Sequence, residues 1–88
     1  MSTTAAKVIR GTGDVTLNGV QIISAIQVVG GTALASIYND TSAVAGSKIG
    51  QVTSTATGAW WSPDTPVRVE NFFFDAGVGV TEVFVHLV

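Results

Sequence analysis

The sequence predicts an all-β domain: a single compact sandwich of jelly-roll type with about seven or eight strands. Three observations lead there. No segment sustains a helical period. Val, Ile and Thr dominate, and these side chains pack well on a pleated, half-buried surface. Turn signals, many drawn from the ten glycines, arrive at the short, regular spacing of sandwiches and barrels. A chain of 88 residues holds one domain, with a thin core that buries about 60–65% of the surface exposed on unfolding.

Taken in order, segment 1–6 ("MSTTAA") is small and polar and reads as a flexible arm, with 7–88 as the folded domain. A first strand runs from Lys7 to Arg10 and ends at "GTGD". In "DVTLNGVQII", Asn18-Gly19 lies between Val15–Leu17 and Val20–Ile22. Asn-Gly suits the positive φ angles of a two-residue hairpin turn, so a hairpin is expected there. Two strands follow, about Val20–Val29 and Thr32–Tyr38, joined at Gly30-Gly31. "NDTSAVAGS" is a loop. "KIGQVTST" is a strand that puts Ile49 and Val52 on opposite faces unless Gly50 carries a bulge.

"ATGAWWSPDTP" reads as a rigid connection, because Pro63 and Pro66 cannot donate to a ladder. "VRVENFFFDAG" is a strand with Val67 and Val69 inward and Arg68 and Glu70 outward. Unbroken, that register buries Asn71 and Phe73. A bulge near Asn71 buries Phe72 and Phe74 instead, and is favoured because it buries two rings and spares an Asn. "VGVTEVFVHLV" is the last strand. Val83, Val85 and Leu87 form its inward row, while Glu82, Phe84, His86 and Val88 form an outward row poorly suited to water.

Composition narrows the function. Charged residues are 11% of the total, against about 25% in ordinary soluble domains, while hydrophobic residues make up 47%. No apolar run approaches the roughly 20 residues of a membrane-spanning helix, so no membrane partner is expected. "MSTTAAKVIR" lacks the basic end and apolar stretch of a signal peptide, and the protein is expected to be unsecreted. Lys7, Arg10, Lys48 and Arg68 are scattered against a net charge of −2; with no basic stripe to neutralise phosphates, nucleic acid is not an expected partner. No cysteine is present, so neither a disulfide nor a thiolate metal site is available.

No motif carries chemistry. "GTGDV" and "GVGV" lack the spacing of a phosphate-binding loop and are turns. "NDT" at Asn39–Thr41 matches a glycosylation acceptor by accident in an unsecreted protein. His86 is the one candidate general base, but it sits on a strand beside Phe84 and not in a cleft with an oriented carboxylate. Asp40, Asp64, Glu70 and Asp75 lie in or near turns, where acidic residues are ordinary, and do not read as a hydrolytic pair. Turn oxygens around Asn39 and Asp40, or around Asp75, lack the dense spacing of a calcium loop. No catalytic residue, cofactor or metal is expected.

Trp60-Trp61 is more informative. Adjacent residues of an extended segment face opposite ways, so one ring enters the core while the other is exposed. An exposed Trp stacks on a sugar or anchors a protein interface. The outward row of the last strand leaves two readings: a central strand covered by the arm or a loop, or a face that packs on another copy or another protein. The low charge content favours the second. The expected interface comprises Phe84, His86 and Val88, with Trp60 or Trp61 and the arm residues Ser2, Thr3 and Thr4.

"SIYNDTSAVAGSKIGQVTST", "TPVRVENFFFDAG" and "VTEVFVHLV" together resemble the small β-sandwich capsid decoration (cement) proteins of tailed bacteriophages over about Val28 to Val88. The likeness is one of texture, with no family site residue to carry across. The resemblance implies a virion protein, made in the host cytoplasm, that forms a homotrimer on the major capsid protein lattice with an extended terminal arm. A carbohydrate-binding module or fibre tip using Trp60 or Trp61 is the alternative.

Overall fold

The structure, a computed structural model, describes residues 7–88, where alternating apolar positions assemble nine strands into two antiparallel sheets packed face to face. Sheet A places β1 (Lys7–Gly11) beside β9 (Val80–Leu87), and β9 beside β3 (Gln21–Gly30). The far edge of β3 takes two short strands: β6 (Ala59–Trp61) pairs with Ile26–Val28 and β7 (Val67–Val69) with Gln21–Ile23. Sheet B runs β2 (Val15–Leu17), β8 (Phe72–Asp75), β4 (Leu34–Tyr38), β5 (Lys48–Thr53).

β6 and β7 occupy one strand position, interrupted where Pro63 and Pro66 remove ladder donors. Counted that way there are eight positions, in the orders 1-9-3-6/7 and 2-8-4-5. That order is the double Greek key of a jelly roll. The nine strands exceed the seven segments named from the sequence by two, because the "AWW" of the supposed connection pairs with β3 and "VRVENFFFDAG" divides into β7 and β8 in different sheets.

The core lies between the sheets. Ile23, Ile26 and Val28 of β3 meet Ile37 of β4 and Phe72 and Phe74 of β8, all of them fully buried. Val83 and Val85 of β9 are likewise fully buried, and Leu87 nearly so. Each fully buried side chain of this size contributes about 1.5–3 kcal/mol relative to exposure.

Three of the connections that change sheet coincide with turn or register signals in the sequence, and at two of them, Asn18-Gly19 and Glu70-Asn71, the outcome differs from the sequence expectation. Asn18-Gly19 does not close a hairpin, because β2 belongs to sheet B and β3 to sheet A. A type I′ hairpin needs positive φ at both central residues. Here only glycines take positive φ among the described residues, with Gly19 at 91°. The turn is a corner between the layers. Gly30-Gly31 also leads from one sheet to the other, and a Cβ on Gly30 would stand 2.8 Å from Val80 Cα. At Glu70-Asn71 the backbone leaves sheet A and enters sheet B, which resets the alternation. Phe72 and Phe74 are buried as favoured, though by a change of sheet and not a bulge; Phe73 faces outward, its ring centroid 6.1 Å from that of Tyr38.

In β5 the register slips between Ile37↔Gly50 and Tyr38↔Lys48. The slip brings both Ile49 and Val52 against the core, as a bulge at this place would. Loop ties finish both ends of the sandwich. At one end the buried Ser54 hydroxyl donates to Gly31 O and accepts from Ala33 N–H. At the other, Asn39 Oδ1 accepts from Glu70 N–H at 2.9 Å, and Asn71 Oδ1 accepts from Gly19 N–H at 3.0 Å.

Candidate functional site

β9 is a central strand, so its outward row lies in the middle of a sheet. Each neighbour adds a side chain to the same face. Val8 and Ala25 stand opposite His86, and Arg10 and Gln27 stand opposite Phe84. Trp60 extends that second row from β6, opposite Gln27. Ile22 joins the face from the far end of β3, beside Val88, whose N–H donates to Ile22 O at 2.9 Å.

These neighbours shield the centre and leave the margins open. Phe84 and His86 are half-buried, whereas Trp60 is 51% exposed, Val8 47% and Val88 62%. The Trp60 and His86 ring centroids lie 5.3 Å apart at a 45° tilt. Charge is confined to the rim, where Arg10 Nε donates to Glu82 Oε2 at 2.7 Å and Arg68 pairs with Glu70. Exposed pairs of this kind contribute about 0–1 kcal/mol each. The face is thus an aromatic and aliphatic patch with a polar rim, the anatomy of a protein interface.

Trp61 has the opposite fate. It packs against the core, and its indole covers Gly50, where a Cβ would stand 2.6 Å from Trp61 Cε2. The sequence named Trp60 and Trp61 together; the structure gives Trp60 to the surface and Trp61 to the seam between β5 and β6. Ser2, Thr3 and Thr4 lie outside the described residues. Sequence reasoning missed Val8, Ile22 and Ala25, whose membership depends on which strands flank β9.

The outer face of sheet B is more polar at its centre. Thr16, Ser36, Gln51, Thr53 and Asp75 lie there, with the Tyr38–Phe73 pair at one end and Leu34 at the other.

The groups considered for chemistry are dispersed. Ser24 Oγ donates to the backbone carbonyl of His86 at 3.0 Å, and its partner is therefore not the imidazole. Asp40 Oδ1 accepts from Thr41 N–H at 2.7 Å and Oδ2 from Ser47 Oγ at 3.0 Å. The Thr41 bond first and the Ser47 bond second hold the Asp40 carboxyl below its ordinary value. Among the described residues no three His, Asp or Glu side chains gather to hold a metal, and no pocket opens. No helix of the described residues is long and apolar enough to cross a membrane. Comparison with protein-family models, curated proteins and solved structures finds no match to this protein.

Proposed function

We propose that this protein is a non-enzymatic structural component of a virion, a capsid decoration protein that associates with copies of itself through the outer face of sheet A. The observation that carries the reading is the contiguous run Val8, His86, Phe84, Ala25 and Trp60 on that face, half-exposed at its margins and with ion pairs only at the rim. Contiguous apolar patches on soluble domains mark association sites more often than isolated exposed residues do. The jelly roll is an architecture of viral capsid domains and of lectins alike, so it agrees with the reading without selecting it. In the expected homotrimer the face is shared between copies, and segment 1–6 reaches the major capsid protein lattice.

Sedimentation velocity tests the association. Wild-type protein is expected to sediment as a trimer, and Phe84→Asp as a folded monomer with an unchanged far-UV spectrum. A wild-type monomer at high concentration would refute self-association. Co-sedimentation with purified phage shells tests the partner, and deletion of Ser2–Ala6 is expected to weaken it.

A second reading has its own observation. The exposed Trp60 is the strand-register partner of Gln27, and an aromatic platform on the same face as a hydrogen-bonding amide is the combination that holds a pyranose. Binding on a glycan array that Trp60→Ala abolishes, with no loss of oligomer, would favour this reading over the first.

A further inference from the structure

The Asn18-Gly19 corner carries a reactive arrangement unrelated to the outer face of sheet A. Asn18 is exposed, and the space around Gly19 is open, with no atom within 4 Å of where a Cβ would stand. A side-chain amide followed by an unhindered glycine invites attack by the next backbone nitrogen, and Asn is among the thermolabile residues for that reason. The attacking group must first lose its proton. Here the Gly19 N–H is engaged, donating to Asn71 Oδ1 at 3.0 Å. Asn71 is itself fixed, since it belongs to the Glu70-Asn71 crossover whose two N–H groups donate to Asn39 Oδ1 at 2.9 and 3.4 Å.

We propose that Asn18 is a self-modification site, undergoing deamidation through a succinimide, and that Asn71 is the lock that restrains it. The Gly19 nitrogen attacks Asn18 Cγ and a new C–N bond forms, while the bond from Cγ to the amide nitrogen Nδ2 breaks. Ammonia leaves with the proton that the Gly19 nitrogen gave up. Water then opens the ring at either carbonyl, leaving aspartate or isoaspartate. The isoaspartate product adds a methylene to the backbone at the corner between the sheets. Either product places a new carboxylate at the end of the sandwich that holds Glu70.

The other two asparagines serve as internal references. Asn39 Oδ1 is occupied by two backbone donors, and the residue after Asn71 is the fully buried Phe72. Conversion is therefore expected at Asn18 alone.

The test is ageing of the full-length protein in mildly alkaline buffer made with ¹⁸O water, folded and in concentrated urea. Mass spectrometry then follows the tryptic peptide from Gly11 to Lys48. In urea, Asn18 should convert faster than in the folded protein. Folded Asn71→Ala, checked by circular dichroism, should convert roughly three- to tenfold faster than wild type, the factor supplied by opening one hydrogen bond of ordinary net strength. Asn71→Asp, which keeps an acceptor for the Gly19 N–H, should stay slow. Folded wild type converting as fast as the urea-unfolded protein would overturn the lock, as would a folded Asn71→Ala with the wild-type rate. Should Asn71→Ala not fold, the wild-type comparison decides alone. Unfolded protein that converts at Asn39 and not at Asn18 would overturn the site.

Discussion

Replacing Phe72, Phe73 and Phe74 one at a time with Ala turns the change of sheet at Glu70-Asn71 into a measurable pattern. Phe72 and Phe74 are fully buried between the layers, while Phe73 is half-buried on the outer face of sheet B against Tyr38. Truncating a buried Phe costs about 3–5 kcal/mol in lost transfer energy plus the cavity left behind. Truncating Phe73 removes partial burial and one tilted aromatic contact, the latter worth about 0.5–1.5 kcal/mol. An 88-residue domain has a total stability of about 4–13 kcal/mol. Phe72→Ala and Phe74→Ala should therefore bring the protein close to its unfolding threshold, and Phe73→Ala should not. Urea denaturation followed by circular dichroism reads this directly, with a large midpoint drop for the outer two variants and a small one for the middle variant at an unchanged slope. A Phe73→Ala loss as large as that of its neighbours would refute the register and the sheet change together.

Ser54→Ala leaves Ala33 N–H without its buried acceptor and Gly31 O without its donor. A cost of about 1–3 kcal/mol is expected, seen in thermal unfolding as a drop of about 4–8 °C per kcal/mol for a domain of this size. For Asp40, the hydrogen bonds hold the folded carboxyl below the ordinary 3.8. A depressed folded value means stability that is present above the unfolded value and lost as pH falls through the folded one. Asp40→Asn should therefore lower stability at neutral pH, where the contribution of the charged carboxylate is fully present, and flatten the acid limb, so that the two proteins converge as pH falls below about 4; an identical acid limb in both proteins would contradict this.

Periodicity made some of this molecule legible in advance. The rows Val83, Val85, Leu87 and Val67, Val69 follow from period-2 alternation, which depends only on local pleat geometry. Pairing is a long-range property, and there the local signals misled. Asn18-Gly19 and Gly30-Gly31 are strong turn signals, but a turn dipeptide reports a reversal of direction and not the layer in which the next strand lies. The short β6 hid between glycine and two prolines, because three residues carry no period. The apolar outer face of sheet A was half legible: Phe84, His86 and Trp60 stood out as apolar or aromatic residues at outward positions, whereas Val8, Ile22 and Ala25 become members only once β1 and β3 flank β9.

That arrangement also governs how the protein reaches its fold. β3 cannot complete its ladder until β9 exists, since Gly30 waits for Val80 and Ile23 waits for Leu87; β1 waits longer still, with Lys7 opposite Leu87. A ribosome therefore releases the first half of sheet A well before its central strand, and the ten-residue β3 edge that β9 will cover stands unpaired in the interval. Contacts of such high sequence separation place folding on the order of milliseconds to seconds, slow enough for nascent polypeptides to meet one another. Lys7 and Arg10 put charge on the outermost strand of the sheet, and charged side chains on an edge disfavour pairing with another strand.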